Sequence, residues 1–528
     1  AAAGHANEAV RCVRSGIAVV SAMLGVPPGP ELASLEQKLR EQPSPPSGPA
    51  TVDAPTRSRP AANRLLDAAF RQALDKAEQA AGAATARAAH DEAVRHWLRA
   101  LELLDTVDPD NDPRRLRLLL GLGAAHNTVG LDTDAREVFL RASQIARSLG
   151  DGPAFSWSVL GYCSDRIGLA PPPEQAEMLV EALAGLGPDE HLLRGRLLGR
   201  LGTELYWVTS PDRTLELAEQ ALAESTLAGD TEGRLWAWYA LAFGNWTPSR
   251  AEQLATVCET YLEEAVAAGD HTHQLLAHRW LVPIVTELGD VARGEREAAA
   301  AIELADELGM AVQQWMTRVI AASQQLVSGN LDRAEALAAE ALMIGTGCEP
   351  ETAFDYASIF TWTVHWLRGT LAEIVTLVEA VALAPGVDAT RTLALALTYS
   401  ELGRLEEATA MLDTMSDSEL AAVPHDTTWF ISMAALAETA ATCRHQRTAA
   451  FAFEALQPFH ERIAITSLTA MGPVAHYVGI AAWAAGHHAR GLKILADAVA
   501  IGERVGAPVF AERSRRALAD RRSLFDAR

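Results

Sequence analysis

Residues 289–331 read GDVARGEREAAAAIELADELGMAVQQWMTRVIAASQQLVSGNL. Turn residues stand at the start, middle and end of this stretch: Gly289-Asp290, Gly309 and Gly329-Asn330. Between the turns, apolar residues recur three or four positions apart, as at Ala298, Ala301 and Leu304. This spacing places them on one helix face, and Gly beside Asp or Asn is typical of helix ends. The stretch therefore predicts an α-hairpin that opens at Gly289 and ends at Gly329.

The same kind of turn recurs along most of the chain. We place turns near residues 89, 130, 168, 210, 248, 289, 329, 369, 403, 445 and 486. Most steps are about forty residues; 289 to 329 is 40, whereas 369 to 403 is 34. A small residue follows several turns by about five positions, at Ala135, Ala334, Ala408 and Ala449. Helix pairs at a fixed period bury their apolar faces by stacking, and a small side chain lets two helices approach closely.

This pattern resembles the tetratricopeptide family over residues 62–508, although the usual unit of that family is about 34 residues. The resemblance implies an all-α fold of about eleven tetratricopeptide-like helical hairpins, stacked into a right-handed superhelix and almost wholly helical. The longer repeats are similar to those of large bacterial transcriptional regulators. After the array, residues 509–528 place Phe510, Leu518 and Leu524 on one side, which predicts a C-terminal capping helix.

Residues 4–40 contain a more specific local signal. The string GHANEAV at residues 4–10 enters a helix, and LGVPPGPEL at residues 24–32 ends it with a glycine and prolines. These strings resemble the closing helices of the bacterial transcriptional activator domain of actinobacterial antibiotic-regulatory activators, to which we assign residues 1–41. In that family the domain follows a winged helix, so we expect DNA to be contacted only through a domain absent from this chain. The alternative is an ordinary repeat with a proline-rich corner.

The next segment is a proline-rich linker, and no nucleotide-binding motif accompanies it. Residues 42–61 contain six prolines among Ser, Gly and Thr, which predicts an extended linker. Large relatives usually have an ATP-binding domain between the activator domain and the repeats. The sequence contains no Gly-x-x-x-x-Gly-Lys-Ser/Thr loop to hold phosphates, and we predict no cofactor.

Composition limits the partners and the compartment. The net charge is −23, with 3 lysines and 42 arginines, so the chain is a poor nucleic-acid binder by itself. No apolar run reaches the roughly 18 residues that a membrane span needs. The five cysteines show no paired spacing, which is typical of reduced cytoplasmic proteins. We predict a cytoplasmic protein without a membrane partner.

Two clusters have metal-ligand side chains: Asp108, Asp110 and Asp112, and His271, His273 and His278. A calcium loop needs Gly at its sixth position and Glu at its twelfth, which here are Pro113 and Leu119. On a helix, His271 and His278 lie about 10 Å apart along the axis, too far to share one tetrahedral ion. No nucleophile and base can be identified either. The sequence predicts no metal site and no enzyme.

Several tryptophans share helices with arginine and histidine. The tryptophans are Trp157, Trp236, Trp238, Trp280 and Trp315, which we place on the first helices of the hairpins. First helices line the concave face of such arrays, and Trp and Arg are enriched at binding hot spots. The candidate binding residues are Arg200, Trp238, His278, Arg279 and Arg318. They would bind a protein, a peptide or a small effector on the concave face. The alternative is that the tryptophans fill gaps between long repeats.

The C-terminal arginines also have two interpretations. The cluster is Arg513, Arg515, Arg516, Arg521, Arg522 and Arg528. It forms the solvated face of the capping helix or contacts nucleic acid or an acidic partner. For the whole chain, the sequence predicts the sensory, oligomerisation or partner-binding region of a transcriptional regulator, with self-association possible. The alternative is a free-standing repeat scaffold that binds a peptide or protein partner.

Overall fold

The computed structural model describes residues 61–129, 132–163, 173–206, 209–383 and 389–526. Four predicted features therefore lie outside the described residues: the activator-domain remnant at 1–41, all but the last residue of the linker at 42–61, the turn near residue 168, and Gly130 and Leu131 of the turn near residue 130. The assignments made for them stay predictions.

The described part of the chain contains twenty-four α-helices, three short 3₁₀-helices (Pro248–Arg250, Leu371–Glu373 and Gln457–Phe459) and two short strands. The helices are α1 (Ala61–Ala86), α2 (His90–Val107), α3 (Asp112–Thr128), α4 (Asp132–Leu149), α5 (Gly152–Tyr162), α6 (Pro173–Ala184), α7 (His191–Leu205), α8 (Pro211–Ala228), α9 (Thr231–Asn245), α10 (Ala251–Ala268), α11 (His271–Glu287), α12 (Val291–Leu308), α13 (Ala311–Val327), α14 (Leu331–Cys348), α15 (Pro350–Arg368), α16 (Val375–Ala382), α17 (Ala389–Glu401), α18 (Leu405–Thr414), α19 (Asp417–Ala421), α20 (Trp429–Thr442), α21 (Gln446–Leu456), α22 (Val474–Ala484), α23 (His488–Val505) and α24 (Pro508–Asp526). The strands are β1 (Ile463–Ile465) and β2 (Ala470–Pro473). No described helix is both long enough and apolar enough to cross a bilayer.

The predicted fold class is confirmed: the chain is an all-α superhelix of stacked tetratricopeptide-like hairpins. In the centre of the array α9, α11 and α13 begin at residues 231, 271 and 311, forty residues apart. The hairpin predicted over residues 289–329 is out of phase by one helix. The turn at Gly289 joins α11 to α12 within one hairpin, because these two helices pack more closely on each other than α12 packs on α13. Short glycine turns flank α12 at both ends, so the sequence does not distinguish the two phases.

Burial divides the helices into two layers. In α11 and α13 nearly every face is buried, whereas α12 buries one stripe that includes Ala298, Ala301 and Ala305. An amphipathic helix with one buried stripe belongs on the outside of an array. The helices before the predicted turns therefore form the inner layer and those after them the outer layer. The four alanines predicted to allow close helix approach are fully buried: Ala135, Ala334, Ala408 and Ala449.

A β-hairpin that we did not predict interrupts the array between α21 and α22. β1 pairs with β2 in antiparallel register, and both strands are buried. The Ser323 hydroxyl of α13 donates to the carbonyl oxygen of Thr466 at 2.9 Å. Arg462 forms an ion pair of 2.5 Å with Glu252 of α10, 210 residues earlier in the chain. The hairpin thus packs against the inner layer of central repeats, including α11, α13 and α20.

The C-terminal helix is more than a cap. Phe510 of α24 packs against Trp366 of α15, with ring centroids 6.5 Å apart. Arg513 lies 2.7 Å from the Glu401 carboxylate and 3.1 Å from that of Glu438. The prediction of a solvated arginine face is therefore wrong for Arg513. The predicted apolar side is also shorter than expected, because Leu524 is 56% exposed.

Candidate ligand-binding pocket

A cavity of about 270 Å³ lies among the inner helices and the turn of the β-hairpin. We call it the Arg279 cavity. Its lining includes Arg279 and the aromatic residues Tyr239, Phe243, Trp246, Trp280 and Tyr356. It also includes Thr466, Ser467 and Leu468 from the turn between β1 and β2. Helices α9, α11, α13 and α15, together with the β-hairpin turn, therefore build one chamber.

The repeat period explains why these side chains meet. Tyr239 of α9 and Arg279 of α11 are 40 residues apart, so they hold equivalent positions on consecutive inner helices. The Phe243 and Trp280 rings lie 4.8 Å apart at 84°, and Trp246 lies 4.6 Å from Trp280 at 77°. Edge-to-face pairs of this kind are favourable and hold rings in fixed orientations. The aromatic wall is therefore formed by the scaffold itself.

Arg279 is the chemically unusual group in this chamber. Its side chain is buried, with the residue 8% exposed, and Nη1 donates to Oε1 of Gln313, a neutral amide. Nε has no acceptor among the described residues, and no described carboxylate forms an ion pair with this guanidinium. Burial lowers the pKa of Arg279, while the nearby Tyr239, Tyr356 and Tyr261 raise it. The result is a buried cation that no described carboxylate balances.

A carboxylate does line the same cavity, but another arginine holds it. Arg391 Nη2 donates to both carboxylate oxygens of Asp355, at 2.6 Å each. In this charge-assisted contact the positive charge of Arg391 balances the negative charge of Asp355. Asp355 is therefore engaged elsewhere and leaves the charge of Arg279 uncompensated.

A larger cavity of about 540 Å³ surrounds another predicted residue, Arg200. It is lined by Arg196, Arg200, Trp157, Trp236 and Glu232, among others. Nε of Arg200 lies 2.7 Å from Oε1 of Glu204, and Arg196 lies 2.7 Å from Asp230 and 2.8 Å from Glu232. Both cations in this Arg200 cavity have carboxylate partners within the protein. The Arg200 cavity is therefore less suited to bind an anionic ligand than the Arg279 cavity.

The other three predicted residues lie outside both cavities. Trp238 packs against two apolar clusters, one with Ala240 and Leu241 and the aromatic one that includes Trp280. His278 lies 2.6 Å from Glu297, and Arg318 contacts Asp306 at 3.0 Å and Glu340 at 3.2 Å. The structure does not bring the five predicted residues together. A role for Trp238, His278 or Arg318 in binding stays a prediction.

The sequence left open whether the tryptophans line a binding site or fill gaps between repeats, and the structure shows examples of both positions. Trp315 is almost completely buried against Met316, Ala341 and Ala353, so it fills the gap between hairpins. Trp280 is buried as well, but it lines the Arg279 cavity.

The three histidines of α11 have separate partners. His271 lies 3.4 Å from Glu307, and Nδ1 of His273 lies 2.6 Å from the Tyr261 hydroxyl. His278 contacts Glu297, as described above. Burial lowers the pKa of His273 to about 4, which keeps that ring neutral near pH 7. No cluster of three potential metal ligands occurs within the described ranges.

A third, apolar cavity of about 370 Å³ adjoins the Arg279 cavity. Its wall includes Trp362, Ile374, Leu377, Val378, Val381 and Ile431. Four residues line both cavities: Ile359, Thr428, Thr466 and Leu468. The two spaces therefore adjoin at these four residues. We call this space the apolar cavity.

Comparisons with known proteins add little beyond the fold. No protein-family model matches the chain, and no curated protein matches it. One similar solved structure is the crystal structure of the APC/C hetero-tetramer Cut9-Hcn1, at 11% identity and a TM-score of 0.26, covering 84% of this chain and 96% of that chain. Another is a circular tandem repeat protein with novel repeat topology and enhanced subunit contact surfaces, at 13% identity and a TM-score of 0.13, covering 87% and 96%. Scores this low support no argument about function.

Proposed function

We propose that this chain is the effector-sensing region of a cytoplasmic transcriptional regulator whose DNA-binding domain is not in this chain. Helical-repeat scaffolds generally present binding surfaces rather than catalytic sites. The regulatory context rests on the resemblance of residues 4–40 to a bacterial transcriptional activator domain. The effector site rests on one observation, the buried Arg279 without a carboxylate partner in an aromatic-walled cavity.

Arg279 is a poor choice for stability. A buried charge without a counter-charge costs several kcal/mol, and a well-packed apolar residue often serves the fold better. A buried guanidinium without a counter-charge is suited to bind an anionic ligand. Its several N–H groups can donate to such a ligand together. The aromatic rings beside it provide rigid apolar area for the rest of the ligand.

The β-hairpin favours a small effector over a long peptide at this site. Beyond the Ser323 contact, Thr363 of α15 hydrogen-bonds to Thr469, the residue directly before β2. These contacts place the hairpin where an extended peptide would lie along the inner helices α13 and α15. A ligand small enough for the Arg279 cavity needs no such displacement.

Calorimetry with benzoate and its neutral analogue benzamide tests the effector site. We expect benzoate to bind one-to-one and benzamide to bind at least tenfold more weakly. Arg279→Met should abolish benzoate binding, whereas the matched control Arg318→Met, whose guanidinium has two carboxylate partners, should retain it. Absence of benzoate binding, or equal binding by Arg279→Met, would contradict the proposal.

Stability provides a second readout. In the double variant Arg279→Met/Gln313→Leu both hydrogen-bonding partners become apolar, a change that is often neutral or stabilising. We expect a melting temperature at or above that of the parent chain. A fall of more than about 5 °C would show that Arg279 serves the fold. For the regulatory context, an in-frame winged helix encoded upstream of Ala1 is expected, and its absence from the gene would contradict that part.

A further inference from the structure

We propose that the effector is an amphipathic monocarboxylate, with its carboxylate on Arg279 and its unbranched apolar chain in the apolar cavity. This inference rests on the proposed function and names the chemical class that the site takes. It depends on the charge of the Arg279 cavity, the composition of the apolar cavity and the residues that the two cavities share.

The charges decide the head group. Arg279 brings one positive charge without a carboxylate partner, and Asp355 in the same wall already binds Arg391. One cation balances one negative charge, so a carboxylate leaves the site neutral. A phosphate monoester would leave surplus negative charge in a buried space beside Asp355, which is unfavourable.

The neighbouring wall decides the tail. Leu377, Val378 and Ile431 are among the residues that give the apolar cavity a predominantly aliphatic surface. Polar groups buried there without partners would lose their hydrogen bonds to water, whereas each buried methylene contributes about 0.8 kcal/mol, or roughly fourfold in affinity. A ligand with a hydrocarbon chain therefore fits this space better than one with a polar body.

The residues that line both cavities show where one ligand could reach from the Arg279 cavity into the apolar cavity. Leu468 at the turn of the β-hairpin is half-buried and lines both cavities. Its flexible side chain is one of the groups that separate the carboxylate position from the apolar space. Rotation of this side chain provides the path for one chain-like molecule to reach from Arg279 into the apolar cavity. Arg391 also lines the apolar cavity, but its positive charge already has the Asp355 carboxylate as counter-charge.

The experiment is a chain-length series by calorimetry on the full chain with hexanoate, decanoate and decanol. We expect decanoate to bind one-to-one and at least tenfold more tightly than hexanoate. Decanol should bind at least tenfold more weakly than decanoate, because it lacks the charge. Arg279→Met should weaken both alkanoates by a similar factor.

A pair of variants tests the tail site. Leu377→Trp fills the apolar cavity and should weaken decanoate at least tenfold while changing hexanoate less than twofold. Leu383→Trp is the matched control, because Leu383 directly follows the same helix but is 69% exposed and lies outside the cavity wall.

The outcomes separate the two proposals. Carboxylate binding that needs Arg279 but is independent of chain length, or equal decanoate binding by the two tryptophan variants, would overturn the amphipathic ligand and leave the effector site in place. Carboxylate binding that does not need Arg279, or no binding of any probe, would overturn both.

Discussion

Glu287 offers a test of how this fold buries a second ionisable group. It lies at the end of α11, is 7% exposed, and its Oε1 has no hydrogen-bond partner among the described residues. Burial raises the pKa of Glu287 from 4.5 to about 8; Arg462 lowers it and Glu252 raises it further. The carboxyl group is therefore protonated in the folded chain at neutral pH.

The size and sign of the effect follow from that pKa. Because the folded pKa is raised, the group's contribution to stability is fully present below pH 4.5 and is lost as pH rises towards 8. A difference of about 3.5 pKa units at 1.36 kcal/mol each sets an upper bound of about 5 kcal/mol. Between pH 5 and pH 9 most of that loss occurs, about 4 kcal/mol at most.

Glu287→Gln removes the ionisation while keeping the shape of the side chain. We expect the free energy of unfolding of this variant, relative to the parent chain, to be higher at pH 9 than at pH 5 by about 2–4 kcal/mol. Urea unfolding followed by circular dichroism at both pH values measures this difference. Glu303→Gln, at an exposed position of α12, is the control and should show no such change. A Glu287→Gln difference that is the same at both pH values would refute the reasoning.

Two further variants test the packing around the β-hairpin and α24. Gly472→Ala should lower the free energy of unfolding by about 2–5 kcal/mol, because residue 472 has φ of +80° and its added Cβ would lie 2.3 Å from the Phe510 ring. Gly309→Ala, with φ of +67° and open space around the added Cβ, should cost only about 1–2 kcal/mol, and equal losses in urea titrations would contradict the close approach. Glu438→Ala should lower the free energy of unfolding by about 3–5 kcal/mol at pH 7, because it removes one of the carboxylate partners of Arg513. Burial raises the pKa of Glu438, but Arg513 and other cations outweigh it and hold that pKa at about 2. The contribution of Glu438 is therefore present above pH 4.5 and lost as pH falls towards 2, so a penalty that is unchanged at pH 2.5 would be the contrary result.

The repeat architecture was predictable because its determinants are local. Glycine turns, three- and four-residue apolar spacing and the small residue after each turn all act within one hairpin. The pairing of α11 with α12 was not predictable, because in the sequence Gly289 and Gly309 each mark a helix end. It is decided by which pair of helices packs more closely in three dimensions.

The sequence of the β-hairpin contains residues that favour strands, but we had assigned this segment to the helical array. Ile463, Ile465, Thr466 and Thr469 are β-branched residues favoured in strands, and Gly472 precedes a proline. Its position inside the array had no local signal, since the contacts that fix it reach Ser323 and residues still earlier in the chain.

The candidate site was predictable only in part for the same reason. Arg279 was identified as an arginine beside a tryptophan on an inner helix. Its significance depends on the lack of an ion pair with any described carboxylate, since Asp355 in the same cavity is paired with Arg391, and only the packing of distant segments establishes this. Tyr356, Trp246 and Leu468 complete the wall, and they lie 33 to 189 residues from Arg279 in the chain. Arg318 has the same sequence character but meets Asp306 and Glu340 in the fold.

The placement of the cavity also determines how an effector would act on the rest of the molecule. Thr466 and Leu468 line the chamber, and Thr466 accepts the hydrogen bond from Ser323 of α13. A ligand shifts the equilibrium between two hairpin positions only by its difference in affinity for them. If the ligand binds only when the hairpin is seated, the seated hairpin in turn raises ligand affinity by the same factor. The β-hairpin and the residue before it contact α10, α13 and α15, so under the proposed function ligand occupancy would be coupled first to the packing of these central helices.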